Sequence, residues 1–135
     1  MFHQLAYALN QVVHNFGAAA VLGLSAYGIL QGLNREITQR TVFLILTIVW
    51  AVQGASGVMF GIATLSFYGQ LPDIHGVAVI ALWVKIVCAV LGLVVAFIGF
   101  RKSGGPQGPS LFFPIATFGF GATALTAAAF LRWFS

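Results

Sequence analysis

Apolar residues fill this chain in four long runs, and polar residues gather in the short stretches between them. The runs cover residues 12–33, 41–68, 76–100 and 111–134. Each is near the ~20 residues that carry an α-helix across the ~30 Å hydrocarbon layer of a bilayer. The connections are short. They read NREITQR, GQLPDIH and RKSGGPQGPS, and only the last is rich in Gly and Pro. The pattern predicts an all-α integral membrane protein, a four-helix transmembrane bundle forming a single domain over residues 1–135, with no internal repeat. Phe2, Leu5, Tyr7 and Leu9 fit a separate short helix over residues 1–10, lying in the membrane interface.

Within the runs, small and polar residues recur at spacings of three and four. Gln11, His14, Ala18, Val21, Ser25, Gly28 and Gly32 make one stripe in the first run. Trp50, Gln53, Gly57, Gly61, Thr64 and Tyr68 make one in the second, with Gly57 and Gly61 as a small-xxx-small pair. Ala78, Ala81, Lys85, Cys88, Gly92, Ala96 and Gly99 make one in the third. Small residues let membrane helices approach closely, and polar ones hydrogen-bond across the contact. The stripes are therefore the inward faces. The Val, Ile, Leu and Phe between them suit lipid.

Lys85 stands out on this pattern. It follows His75 by ten residues, which is ~15 Å along a helix axis. A charge at that depth costs at least ~2.5–3.5 kcal/mol on the insertion scale. Either it has a buried partner or a function, or it snorkels or hydrogen-bonds within the bundle. Gln53, Ser25 or a ligand oxygen are the expected partners.

Composition agrees with the pattern. The chain is 60% hydrophobic and 6% charged, against about 25% charged in soluble domains. The net charge of +4 therefore points to topology and not to nucleic acid. Arg35, Arg40, Arg101 and Lys102 lie in or beside the two connections on one side, and only Arg132 lies near the other. By the positive-inside rule the cluster faces the cytoplasm. Both termini then face outward, to the periplasm if the membrane is a bacterial inner membrane. His3, His14 and His75 all fall on that outer side. The N-terminal residues lack the basic region and cleavage pattern of a signal peptide, so the N-terminus is expected to be retained. Cys88 is the only cysteine, which leaves no disulfide framework and no thiolate metal cluster. Glu36 and Asp73, the only acids, fall on opposite membrane faces, and no catalytic set for hydrolysis can be assembled.

Three cofactor chemistries fit what remains. His14 and His75, from different helices, can ligate one haem iron axially; bis-imidazole ligation favours electron transfer. Gly17, Gly57 and Gly61 offer bare helix surface for the ring, and Arg132, Tyr68 or Lys85 can meet the propionates. The plain alternative makes His14 a packing donor and His75 a connection residue. Copper is the second chemistry. Met1-Phe2-His3 has the amine–amide–imidazole spacing of a square-planar Cu(II) site, and His3, His14 and His75 with Met1 form an outward-facing route. Met59 reads as buried filler. The third is a quinone head group held by Lys85, Gln53, Trp50 and Trp83.

The segments VVHNFGAAAVLG, around His14, and ALWVKIVCAVLG, around Lys85, resemble the CopD-type family of membrane proteins, the copper resistance D and cytochrome b561-like group. The likeness spans residues 12–99. It implies a small four-helix unit that handles haem or copper. Together these features give the expected function. The chain is an electron-transfer or anchoring subunit of a redox or respiratory complex, binding b-type haem through its outer histidines, and not an enzyme by itself. Its partners are the lipid bilayer, other membrane subunits or a second copy, and a quinone. A copper-binding or copper-transport protein and a purely structural transmembrane subunit are the alternatives.

Overall fold

A computed structural model describes residues 2–34, 39–69, 74–105 and 110–134, without the side chains of residues 2, 3, 33 and 34. Arg35, Glu36 and Asp73 lie outside the described residues. Four helices make up the fold: α1, Phe2–Asn34; α2, Gln39–Tyr68; α3, Val77–Lys102; and α4, Phe112–Phe134. All four are long and apolar enough to cross a membrane. The mean hydropathies of their most apolar stretches are 1.4, 1.9, 2.7 and 1.5 in chain order. Their length and apolar composition point to a membrane protein built as a helix bundle.

The first helix differs from expectation. Residues 2–10 are not a separate interfacial helix but the start of one 33-residue helix. No Gly or Pro interrupts Phe2–Phe16, and Ala, Leu and Gln favour the helix throughout. At ~1.5 Å per residue α1 is ~50 Å long, well beyond the hydrocarbon thickness.

The other ends have local causes. Gly69 closes α2 in the left-handed region (φ 69°), and its N–H reaches Leu65 O at 3.0 Å. Only glycine takes that conformation without a Cβ penalty. Gly76, also at positive φ (56°), stands at the N-cap of α3, and its carbonyl accepts from Ile80 N. Ser103 stops α3, its N–H on Gly99 O at 2.9 Å and its Oγ on Phe100 O at 2.7 Å. Pro114 sits in the first turn of α4, where an α-helix has no use for the missing N–H.

The helices form a ring. α1 packs on α2 and α4, α3 packs on α2 and α4, and the diagonal pairs make no close backbone contact. Arg40, in the first turn of α2, lies 5.5 Å over the Phe100 ring near the end of α3. Lys102 lies 5.5 Å over Phe113 at the start of α4. These contacts gather the start of α2, the end of α3 and the start of α4 on one face of the bundle, the basic face.

Packing is tightest in the half next to that face. Val21, Phe43, Leu46, Trp50, Ala96 and Phe113 form the core there. The glycines of α3 make room for its rings. A Cβ on Gly92 would collide with Trp50, and one on Gly99 with Phe43. Across the bundle, Gly28 lies against Pro114 and Gly121 against Val21. Ser25 and Thr117, both fully buried, join α1 to α4 by a 3.0 Å hydrogen bond.

Most of the expected inward stripes face inward. In α3, Ala78, Ala81, Cys88, Gly92, Ala96 and Gly99 are buried and Lys85 is half-buried. Four positions depart from expectation. Gln11 is exposed and bonds Asn15 instead of a neighbouring helix. Tyr68 is 75% exposed. Met59, read as core filler, is exposed. Gly61 has nothing within 4 Å of where its Cβ would be, so the Gly57–Gly61 pair does not mark a close helix crossing. The outward faces are aliphatic and aromatic, Phe16, Trp83 and Trp133 among them. The exposed threonines of α4 hide their hydroxyls on their own helix, Thr123 on Gly119 O and Thr126 on Ala122 O.

Candidate functional site, a buried polar centre

In the half of the bundle away from the basic face, polar side chains occupy the interior. His14 is at the centre, 7% exposed. Its Nδ1 lies 2.8 Å from Ser56 Oγ on α2. Its Nε2 lies 3.1 Å from Lys85 Nζ on α3 and 3.2 Å from Gln53 Nε2 on α2. Ser56 Oγ in turn donates to Gln53 O at 3.1 Å. Asn10 Nδ2 donates to Ser56 O at 3.0 Å, one turn of α1 before His14.

A lysine ammonium can only donate. With Lys85 charged, Nε2 therefore holds the lone pair and Nδ1 carries the proton. The chain of donation is then complete: His14 Nδ1–H to Ser56 Oγ, and Ser56 Oγ–H to the Gln53 carbonyl. Two donors converge on one lone pair at Nε2. Lys85 reaches it across the diagonal of the ring, linking α3 to α1 where their backbones do not touch.

The walls are set by small and aromatic residues. A Cβ on Gly17 would run into Gln53 Oε1, so glycine there makes room for the amide. That same Oε1 is buried without a hydrogen-bond partner. Phe60 presents its ring edge-on to His14, 5.4 Å away and at 84°. Tyr7 meets Phe60 at 5.0 Å, also edge-on. Gly57 lies beside the imidazole, its would-be Cβ 3.8 Å from His14 Cε1, and Gly61, a turn further along α2, borders open space.

The expected site residues thus divide. His14, Lys85, Gln53, Gly17 and Gly57 come together. His75 is exposed in the non-helical residues before α3, and its carbonyl accepts from Ala78 N. Arg132 is exposed in the last turn of α4. The His3 side chain lies outside the described residues. Among the described residues no group of three or more His, Cys, Asp or Glu gathers as a metal site. Trp50 packs in the core beside Gly92, and Trp83 faces outward. Lys85 does point inward, but its partner is His14; Ser25 is taken by Thr117. Ser56, Asn10 and Phe60 were not singled out by the sequence. Ser56 follows Gln53 by three positions, so one face of α2 carries both, and that spacing is the only signal for it.

No protein-family model, no curated protein and no solved structure matches this chain.

Proposed function

We propose that the chain is a membrane electron-transfer subunit that binds b-type haem at the buried polar centre, with His14 as an iron ligand. The orientation that goes with this reading has the basic face in the cytoplasm and both termini in the periplasm of a bacterial inner membrane. The observation that carries it is the state of His14. Its Nδ1–H is held by a hydroxyl that is itself anchored to the backbone. Metal-ligating histidines are oriented in this way, through the ring nitrogen that does not bind the metal. The lone pair on Nε2 is left pointing at a movable lysine and amide.

Two glycines of α2, one beside His14 and one a turn further along, support the reading. Gly57 and Gly61 supply helix surface without side chains, and Gly61 has open space in front of it. A haem held there supplies one-electron transfer. His14 orients it, and Ser56 keeps His14 in the ligating tautomer. Lys85 would offer a cation to a propionate, as would Arg132 nearer the surface. His75, which lies outside the polar centre in the residues before α3, would be the second histidine to hold the group.

A second reading has its own support. Both His14 ring nitrogens are satisfied within the protein, so the cluster can act purely as a polar lock joining α1, α2 and α3. Lys85→Met separates the two. A central lysine costs ~2.5–3.5 kcal/mol to insert, whereas interhelical hydrogen bonds in membranes average ~0.6 kcal/mol and reach ~1.7. Gln53 still donates to His14 after the change. Stability alone therefore does not favour lysine at this position. Lys85→Met is expected to melt at the same or a higher temperature in detergent and to hold less haem. The reduced-minus-oxidised spectrum of the purified protein is the readout. His14→Ala and His75→Ala are each expected to abolish the low-spin α and β bands at matched expression, while His3→Ala keeps them. A wild type without a Soret band leaves the structural lock.

A further inference from the structure

The basic face carries a recess that the polar centre does not explain. Arg40, Phe100, Arg101, Gly104 and Gly105 line a hollow of about 460 Å³ where the start of α2 meets the end of α3. Two arginines from different helices line it. Neither acid of the chain lies among the described residues, and the four cations of this side, Arg35, Arg40, Arg101 and Lys102, outnumber its one acid, Glu36.

Arg40 is the informative one. It lies in the first turn of α2, a turn with no acidic residue. The peptide dipoles leave partial positive charge at a helix N-terminus, so an arginine there is on the wrong end. Arg101 and Lys102 sit in the last turn of α3, where cations are favoured. Lys102 is turned aside over Phe113. Arg40 instead lies over the Phe100 ring, 5.5 Å from its centre, and also lines the recess. A guanidinium has five N–H donors in a fork that matches the oxygens of a phosphate bidentately. Gly104 and Gly105 also line it and have no side chain to fill the space.

The position limits the occupant. The recess lies at the ends of helices long and apolar enough to cross a membrane, which on the orientation proposed above is the head-group level of the cytoplasmic face. Basic pockets between helices on this side of a membrane suit phosphate-bearing lipids. We propose that this recess binds the phosphodiester of an anionic lipid head group, with Arg40 and Arg101 as its two anchors.

Native mass spectrometry of the full chain in detergent doped with phosphatidylglycerol or phosphatidylcholine tests it. The wild type is expected to retain phosphatidylglycerol in preference, with each arginine contributing about fivefold. Arg40→Gln and Arg101→Gln should each lose about that factor, and the double variant should fall to the level of phosphatidylcholine. Arg132→Gln, at the far end of α4, should retain the lipid fully. Helix content by circular dichroism and elution volume must match the wild type; if Arg40→Gln does not fold, Arg101→Gln decides alone. No head-group preference in the wild type, full retention by the double variant, or equal loss in Arg132→Gln overturns the proposal. Displacement of the lipid by millimolar inorganic phosphate assigns the arginine pair to soluble phosphate and overturns the lipid assignment.

Discussion

Ser56 shows how much one hydroxyl can decide. It accepts from His14 Nδ1 and donates to the backbone of its own helix. Ser56→Ala leaves a buried imidazole N–H without an acceptor, at a cost of ~1–3 kcal/mol. Thermal unfolding in detergent should drop accordingly, and Ser56→Thr, which restores a hydroxyl, should recover most of it. Under the haem reading the same change also weakens cofactor binding, by the ~10–100-fold typical of groups that hold a metal ligand in place. A haem titration of folded Ser56→Ala measures that. The sequence made Lys85 and His14 visible because ionisable groups in an apolar run are costly. It did not make their contact visible. Which residue of α1 meets Lys85 depends on the relative height and rotation of two helices that are not neighbours, and no spacing within one chain segment encodes that. Ser56 stayed hidden for another reason: a serine bonding back to its own helix is common and carries no cost signal.

At the scale of the element, α3 was the most legible. Its small residues fall at helical spacing, and the six apolar or small members of the stripe are buried. α2 was less so, because glycine has two uses in a membrane helix. At Gly92 and Gly99 of α3 it admits a neighbour's ring; at Gly61 of α2 it faces open space. Composition does not distinguish these uses. Substitution does. Gly92→Ala puts a methyl into Trp50 and should cost ~1–3 kcal/mol, as overpacking does. In the haem-free protein Gly61→Ala meets nothing and gains ~0.8–1 kcal/mol of helix propensity. Unfolding midpoints of the two variants should therefore move in opposite directions. Equal destabilisation would mean that Gly61 is packed after all, against a partner or ligand. The extra length of α1 escaped the sequence because hydropathy marks where lipid is tolerated, not where the helix ends. Gln4, Asn10, Gln11 and Asn15 lower the hydropathy of that stretch without breaking the helix.

At the scale of the whole molecule, cysteine scanning is well suited to fixing the orientation, because the native Cys88 is buried and gives little background. A cysteine at Ser103 or Gly104 should react with a membrane-impermeant maleimide only from the cytoplasmic side, and one at His75 only from outside. The reverse pattern would invert the proposed orientation of the polar centre and of the arginine recess together. The bundle is also not equally bound along its length. Near the basic face, rings sit in glycine notches at Gly92 and Gly99, and α1 meets α4 at Gly28 and Gly121. Toward the other end the interior is held by His14, Ser56, Gln53 and Lys85, and the diagonal is bridged by one flexible lysine. Mechanically that is a pair of forceps, jointed at the basic end and latched further along its length. Undoing the Lys85–His14 latch should loosen α3 from α1 while Asn10–Ser56 and Tyr7–Phe60 still hold α1 to α2.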